Sequence, residues 1–399
     1  MTPALPSLAT PPELIGDIDR WRQRALLIGV AGLALSAIGW LLDPAQFYRS
    51  YLLGFLLWNG LTLGCMAIAF LHQLTAGAWG LVIRRVLEAS TRLFPLTLLF
   101  FIPLLFGIHS LYIWSNPAVV AADKTLQHKT AYLNVGFFLG RTALYFAIWI
   151  ALSYFFNKWS LAQDRSGPEP WSLKMQILSG PGLLLYGATV TFSSIDWVMS
   201  LEPHWFSTIW GILFLGGQGV ASLSFVIAVI VLLCSRPPMS EVITGRHLRD
   251  LGTLLFAFIM LWAYFNFSQF LLIWAGNLPE EIPYYLTRMN GTWMWIGLFL
   301  VVFHFAVPFL LLLSRDLKRN RKLIRNVALW VFCLRLVDLF WIAGPFFDKG
   351  AFHIHWLDLT APVGLGGLWI AAFFWQLKQR PLFPLHDPNL EEALEHGRD

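Results

Sequence analysis

The amino-acid sequence predicts an all-α integral membrane protein with ten transmembrane helices. Of its 399 residues, 57% are hydrophobic and 13% are charged, whereas a soluble globular chain has about 25% charged residues. The mean hydropathy is +0.61. The apolar residues form continuous runs of about 20, the length at which a helix crosses a bilayer. Because these runs do not alternate with polar residues, they exclude the strands of a membrane β-barrel.

The runs follow one another along most of the chain, which predicts a ten-helix membrane domain over residues 25–378. An N-terminal segment (1–24) precedes it and a polar tail (379–399) follows it. We expect helices two to five (about 50–200) and six to nine (206–344) to form two four-helix bundles, with helices one and ten at the periphery. In order, the helices are predicted near 25–42, 50–74, 91–114, 131–156, 176–200, 206–234, 251–275, 291–314, 325–344 and 357–378.

A weak internal repeat is the reason for expecting two bundles. Residues 109–117 read HSLYIWSNP at the end of the third run, and residues 268–279 read SQFLLIWAGNLP at the end of the seventh. Asn134 and Asn290 then open the fourth and eighth runs. The two halves would have the same orientation in the membrane, because four runs separate the copies. Chance similarity between apolar, Trp-rich segments is the competing explanation.

The positive charges predict the orientation. An even number of spans places both termini on one side, and 21 of the 28 Lys and Arg residues fall in the segments of that side. Two more, Arg141 and Arg335, lie within runs. The positive-inside rule then places both termini in the cytoplasm. The net charge of +5 reflects this distribution and does not indicate nucleic-acid binding. The opposite side holds only Arg49, Lys124, Lys129, Arg288 and Lys349.

One predicted turn carries more charge than a connection between membrane helices needs. Residues 193–211 join the fifth and sixth runs and contain Asp196, Glu202 and His204 among bulky aromatic residues. A charge costs about 2.5–3.5 kcal/mol at the centre of a span and less near its ends. We interpret Asp196 as part of a proton or ligand path on the outer side, with Glu202 and His204 beside it. The alternative is that Asp196 only holds this turn against its neighbours.

Further polar residues interrupt the apolar runs and are candidate functional groups: Arg141, Gln269, His304, Arg335 and Asp338. Each has a structural alternative. Arg335 and Asp338 lie three residues apart on one helix face and can neutralise one another. Arg141 can bond free carbonyls or Asp196, and a lone His304 is often a hydrogen-bonded interior residue.

The histidines and cysteines do not match a redox-metal site. A haem-binding bundle needs pairs of histidines at matching positions on two helices, which His72, His109, His304, His353 and His355 do not form. The three cysteines lie in separate apolar runs without CxxC spacing. We therefore expect no metal ligand set and no covalently bound cofactor in this chain.

Three segments resemble a known family. They are residues 72–80 (HQLTAGAWG) with the following Arg84, Arg85 and Glu88, residues 196–205 (DWVMSLEPHW), and residues 268–288, which include Asn277-Leu-Pro-Glu-Glu281. These strings resemble the large membrane subunits of alternative complex III, the bacterial quinol:cytochrome c oxidoreductase, in the NrfD/PsrC-like family. The compact length is more similar to the F subunit than to its sister C subunit.

The resemblance implies a respiratory function in the bacterial inner (cytoplasmic) membrane. It implies a quinone or menaquinone pocket or a proton path, with Asp196, Glu202 and His204 as the candidates in a matching segment. The candidates Arg141, Gln269, His304, Arg335 and Asp338 rest only on their positions within the apolar runs. It also implies partners: a C-type sister subunit, periplasmic iron–sulfur and multihaem cytochrome subunits, a terminal oxidase, and membrane lipids. Glu280, Glu281 and Arg288 are candidate docking residues, although acidic loop residues often only face water. The alternatives are a purely structural assembly subunit, the C-type quinol-oxidising subunit, and a secondary transporter.

Overall fold

The computed structural model describes residues 10–348, 350 and 352–396. Within these residues all regular structure is helical, and none of them lies in a strand. Lys349, Arg398 and the first nine residues of the predicted N-terminal segment lie outside the described residues. The long helices are α1 (Pro12–Leu42), α2 (Pro44–Thr75), the bent α3 (Arg84–Thr91 and Phe94–Phe106), α4 (Val135–Ser166), α5 (Trp171–Trp197), α6 (Trp210–Leu233), α7 (Gly245–Gly276), α8 (Trp293–Leu313), α9 (Arg321–Phe347) and α10 (Leu357–Leu377).

These helices make the chain a multi-pass membrane protein by length and composition. Among the described residues, eight helices are long and apolar enough to cross a bilayer, and the count rises to nine when the two parts of α3 form one bent span. The prediction of an all-α membrane protein is therefore confirmed. The remaining long helix, α5, has 27 residues but is not apolar enough to be counted among these spans. A tenth transmembrane span therefore stays a prediction.

The helices pack in two groups that share a central contact. In the first group α2 packs against α3 and α5, and α4 packs against α3 and α5. In the second group α6 packs against α7 and α9, and α8 packs against the same two helices. Contacts of α6 with α2 and α5 join the groups. The most apolar part of α2 is 94% buried inside the protein, which makes α2 the centre of the structure.

Helices α1 and α10 pack along a seam of glycines. A Cβ at Gly32 would lie 2.7 Å from the Cα of Gly364, and a Cβ at Gly29 would lie 2.6 Å from the backbone nitrogen of Leu368. Small residues let helix backbones approach closely, and such packing drives association where lipid surrounds the helices. Since α10 also packs against α2, α1 is attached to the core mainly through α10.

Contacts between connections define two ends of the molecule. At the end that holds the start of α1 and the end of α10, here called the terminal end, Lys378 Nζ lies 2.7 Å from an oxygen of Asp19. At the opposite end, here called the far end, Lys129 Nζ donates to the carbonyl of Pro203 at 2.6 Å. The predicted outer turn at 193–211 therefore lies at the far end.

Several segments differ from their predicted boundaries. Helix α1 begins at Pro12, well before residue 25, because its first turns are polar but helical. Arg84 and Arg85, expected in a connection, lie in the first part of α3 and are buried. The tail after α10, predicted as a polar segment, packs into the protein with Leu382 and Phe383 buried.

Candidate functional site

The first candidate pair joins two helices at the far end of the first group. Arg141 on α4 donates from Nε and Nη2 to the two carboxylate oxygens of Asp196 on α5, both at 2.8 Å. The hydroxyl of Tyr145 donates to Asp196 Oδ2 at 2.7 Å. The Asp196 side chain is fully buried, and both of its oxygens are bonded. Such a bidentate arginine–carboxylate pair is a strong, directional contact.

The backbone groups around this pair are also bonded, although Tyr132 Oη makes no hydrogen bond within the described residues. Arg141 Nη1 donates to the carbonyl of Tyr132 at 3.0 Å, and its guanidinium carbon lies 3.8 Å from the centre of the Tyr132 ring. Ser200 donates to the backbone carbonyl of Asp196 at 2.5 Å. This geometry supports the structural alternative for Arg141, although the role of Asp196 in a proton path stays untested.

The second candidate group lies inside the second helix group, and we call it the second-half cluster: Trp262 and Gln269 on α7, His304 on α8, and Arg335 and Asp338 on α9. All five side chains are buried. Arg335 Nη1 contacts Asp338 Oδ2, and Trp262 Nε1 donates to the same oxygen at 3.1 Å. The predicted helix-face pair of Arg335 and Asp338 therefore forms.

Unlike the first pair, the second-half cluster contains polar atoms without partners. Both ring nitrogens of His304, Asp338 Oδ1 and Gln269 Nε2 make no hydrogen bond within the described residues. His304 is fully buried, and its ring lies edge-on to Trp262 with centroids 4.5 Å apart. An unsatisfied buried polar group costs about 1–3 kcal/mol. Such groups are the part of this structure best suited to meet a polar ligand.

The backbone at His304 is also unusual. Residues Val301–Ala306 form a π-helical segment in the middle of α8. Single π-helical turns within α-helices occur frequently at functional sites. On α6, a Cβ at Gly217 would overlap the guanidinium of Arg335, so a larger residue at this position would displace Arg335 from its place against that helix. Helices α6 to α9 all contribute to the environment of this cluster.

The other predicted residues line a cavity at the far end. Its volume is about 270 Å³, and it lies between the α5–α6 connection, the α7–α8 connection and the end of α9; it is lined by residues that include Glu202, His204, Trp205, Glu280, Tyr284 and Arg288. Arg288 is 2% exposed. Glu281 does not line the cavity, and its carbonyl accepts a hydrogen bond from Trp205 Nε1 at 2.9 Å. The predicted residues Glu202, His204, Glu280 and Arg288 therefore lie together at this cavity. Asp196 and Glu281 do not line it.

His204 lies on the outer side of this cavity and joins the α5–α6 connection to the α3–α4 connection. Its Nε2 lies 2.6 Å from Asp123 Oδ2, and its Nδ1 lies 3.3 Å from Glu202 Oε1. The hydrogen bond with His204 holds the pKa of Asp123 below its usual value of 3.8. Within the described residues, no three His, Cys, Asp or Glu side chains lie close enough to hold a metal ion.

A further charged network at the terminal end was not among the predicted sites. Arg84 and Arg85 flank the buried Glu88, with Arg84 Nε 2.8 Å from Oε1 and Arg85 Nη1 2.6 Å from Oε2. Asp387 of the tail lies 2.5 Å from Arg84 Nη1, and Arg380 lies 3.3 Å from Glu88. The i,i+3 and i,i+4 spacing of these residues on one helix was the available signal. The network fixes the tail beneath the first helix group.

Neither the known protein families nor the curated proteins provide a relative of this chain. No model of a known protein family matches it, and no curated protein is significantly similar to it. The resemblance to the membrane subunits of alternative complex III therefore stays a prediction that rests on the three quoted segments.

Proposed function

We propose that this chain is a non-haem membrane subunit of a respiratory quinol:acceptor oxidoreductase, of the F type of alternative complex III. In this proposal ten helices cross a bacterial inner membrane as two four-helix bundles with α1 and α10 outside them, and both termini are cytoplasmic. The observation that carries the proposal is His304: a fully buried imidazole near the middle of α8 with two unpartnered nitrogens. Ionisable groups within spans commonly mark proton or ligand paths.

The chemistry requires a proton acceptor and an electron acceptor. Oxidation of a quinol to a quinone releases two protons and two electrons. An imidazole nitrogen of His304 can accept the first proton from a quinol hydroxyl and, after it has passed that proton on, the second; each time the imidazolium is stabilised by the nearby carboxylate of Asp338. Since we expect no redox cofactor in this chain, the electrons pass to a haem or iron–sulfur group of a partner subunit.

Arg335 and Trp262 position the carboxylate in this scheme. Both contact Asp338 Oδ2, which leaves Oδ1 available to the ligand or to the imidazolium. Gln269 lies seven residues after Trp262 on the same face of α7, and its free Nε2 can donate to a quinone carbonyl. We assign Asp196 a supporting role, because Arg141 and Tyr145 already bond both of its oxygens.

The test is turnover of the native complex that contains a His304→Gln subunit, with a soluble quinol analogue as donor. Glutamine keeps a polar side chain but cannot carry the proton, so we expect turnover to fall by at least tenfold while the complex still assembles. His109→Gln is the matched control, because His109 is an exposed imidazole bonded to Ser115. The control should keep turnover within twofold of the wild type.

Two results would change the conclusion. Unchanged turnover in the assembled His304→Gln complex would contradict a proton role and favour the structural assembly subunit. Loss of turnover in Asp196→Asn without loss of assembly would move the proton path to the first group. A structure of the native complex tests the F-type assignment, since it shows which membrane subunit lies within electron-transfer reach of a redox centre.

A further inference from the structure

The far-end cavity contains a buried cation without a carboxylate partner. Arg288 donates from Nη1 to the carbonyl of Tyr284 at 3.0 Å and from Nη2 to the carbonyl of Ile342 at 2.5 Å. Its Nε makes no hydrogen bond within the described residues, and no carboxylate there lies within ion-pair distance of it. Its pKa is lowered by burial to about 10, so it remains protonated at neutral pH. A buried charge without a counter-ion is costly.

Aromatic rings form the wall around this guanidinium. Its central carbon lies 3.5 Å from the centre of the Tyr284 ring and 4.8 Å from that of Phe346. Trp205 stacks on Tyr284 with the centroids 4.4 Å apart and the planes 18° apart. These contacts hold Arg288 in one orientation at the cavity. A guanidinium fixed in this way is suited to bind a phosphate or carboxylate group.

The same cavity is lined by two carboxylates of the connections, Glu202 and Glu280. Glu280 is exposed at the rim. A purely anionic ligand would meet these two groups unfavourably, and a purely cationic one would meet Arg288 unfavourably. The charges therefore match a ligand that carries an anionic group at one end and an ammonium group at the other. Aromatic faces also attract ammonium groups.

The surface beside the cavity is apolar and is suited to contact acyl chains. The helix Pro283–Met289 buries Tyr284, Tyr285 and Arg288 and exposes Leu286 (44%) and Met289 (39%). This apolar face is available to acyl chains at the level of the far-end connections. The cavity volume of about 270 Å³ is below the roughly 300–1,000 Å³ of pockets that enclose a drug-sized ligand, and it suits a headgroup alone.

We propose that this cavity binds the headgroup of a zwitterionic phospholipid such as phosphatidylethanolamine. Arg288 contacts the phosphate, Glu280 contacts the ammonium, and the acyl chains lie along Leu286 and Met289. The site is separate from the second-half cluster, so the result of a lipid-binding experiment does not depend on the proposed quinol chemistry.

The experiment measures lipid binding to the full chain, purified in detergent and depleted of lipid, by thermal stabilisation on titration. We expect phosphatidylethanolamine to bind at least tenfold more tightly than phosphatidylglycerol, which has the phosphate but not the ammonium. Glu280→Gln should reduce this preference about three- to tenfold, and the variant should fold as the wild type does because Glu280 is exposed. Glu281→Gln is the matched control, since Glu281 does not line the cavity, and it should keep the wild-type preference.

Further measurements distinguish binding of an intact lipid from binding of a soluble headgroup. Glycerophosphoethanolamine, which has the headgroup without acyl chains, should bind at least tenfold more weakly than the lipid. Arg288→Gln should abolish binding of both lipids where that variant folds. Equal binding of the two lipids to the wild type, or an unchanged preference in Glu280→Gln, would overturn the proposal. Equal binding of the soluble headgroup and the lipid would overturn its assignment to a lipid.

Discussion

Asp196 in the first helix group and Asp338 in the second occupy comparable positions but have different surroundings. Each is followed seven residues later by a proline, Pro203 or Pro345, near the far end of its helix. Asp196 takes its arginine from the neighbouring helix α4, whereas Asp338 takes its arginine from its own helix, α9. Only Asp338 keeps an oxygen without a partner.

The difference shows that a buried aspartate can either join two helices or keep a carboxylate oxygen available to a ligand. The contact between Arg141 and Asp196 ties α4 to α5 and bonds every carboxylate oxygen, so it restricts both helices. An arginine three residues away on the same helix neutralises charge without joining two helices. The second group therefore keeps an oxygen of its aspartate and both nitrogens of His304 available to a ligand, whereas both oxygens of Asp196 are used in joining α4 to α5.

The largest expected effect is on the first pair. Replacing Arg141 by Gln leaves Asp196 as an uncompensated buried charge, and breaking a buried pair in this way costs about 3–5 kcal/mol. We expect the free energy of unfolding in detergent to fall by that amount. Arg335→Gln is the comparison, and its loss should be smaller because His304 can take up a proton beside Asp338. Equal losses in both variants would contradict the distinction between the groups.

A smaller effect is expected from the hydroxyl of Tyr145. Tyr145→Phe removes a 2.7 Å hydrogen bond to a buried carboxylate, and hydrogen bonds to charged groups contribute about 1.5–3 kcal/mol. Thermal unfolding in detergent should register this loss. Trp262→Phe removes the longer 3.1 Å bond to Asp338 and should cost less. A larger loss for Trp262→Phe would mean that the second pair is the more tightly held.

The sequence predicted the helices better than it predicted the partners of their polar residues. Long apolar runs are local signals, so α2 and α6 to α10 lie close to their predicted ranges. The sequence named Asp196 and free carbonyls as possible partners of Arg141, but the contact with Asp196, 55 residues away, depends on how α4 packs against α5, which no local pattern encodes. The sequence favoured Asp196 over Asp338 as the functional candidate, whereas in the structure Asp338 is the one with an unpartnered oxygen.

The terminal-end network was missed for a related physical reason. Arg84 and Arg85 follow a Gly-containing break after α2 and read as positive charges in a connection. In the structure they are buried in α3 because Glu88, Asp164 and Asp387 neutralise them. Two of these carboxylates come from distant segments of the chain, so a count of positive charges cannot distinguish a solvated arginine from a paired one.

Replacing His304 should have little effect on stability, in contrast to the first pair. His304→Leu removes two unpartnered ring nitrogens and fills a similar volume with an apolar side chain. Removing an unsatisfied buried group offsets the lost packing, so we expect the free energy of unfolding to change by no more than about 1 kcal/mol. Quinol turnover should nevertheless be lost. A stability loss above about 3 kcal/mol would show that His304 is a structural residue.

The smallest effect is expected at the exposed carboxylate of the first half, Asp123, which pairs with His204. Since this hydrogen bond lowers the pKa of Asp123, its stabilising contribution is complete above the usual value of 3.8 and is lost as the pH falls through the lowered pKa. Hydrogen exchange of the Lys124–Lys129 helix should therefore increase below that value after correction for the intrinsic rate. Asp123→Asn can still cap this helix but has no charge to lose, so its corrected exchange should be independent of pH over the same range. An equal pH dependence in both proteins would show that the exposed pair, unlike the buried ones, does not hold its connections together.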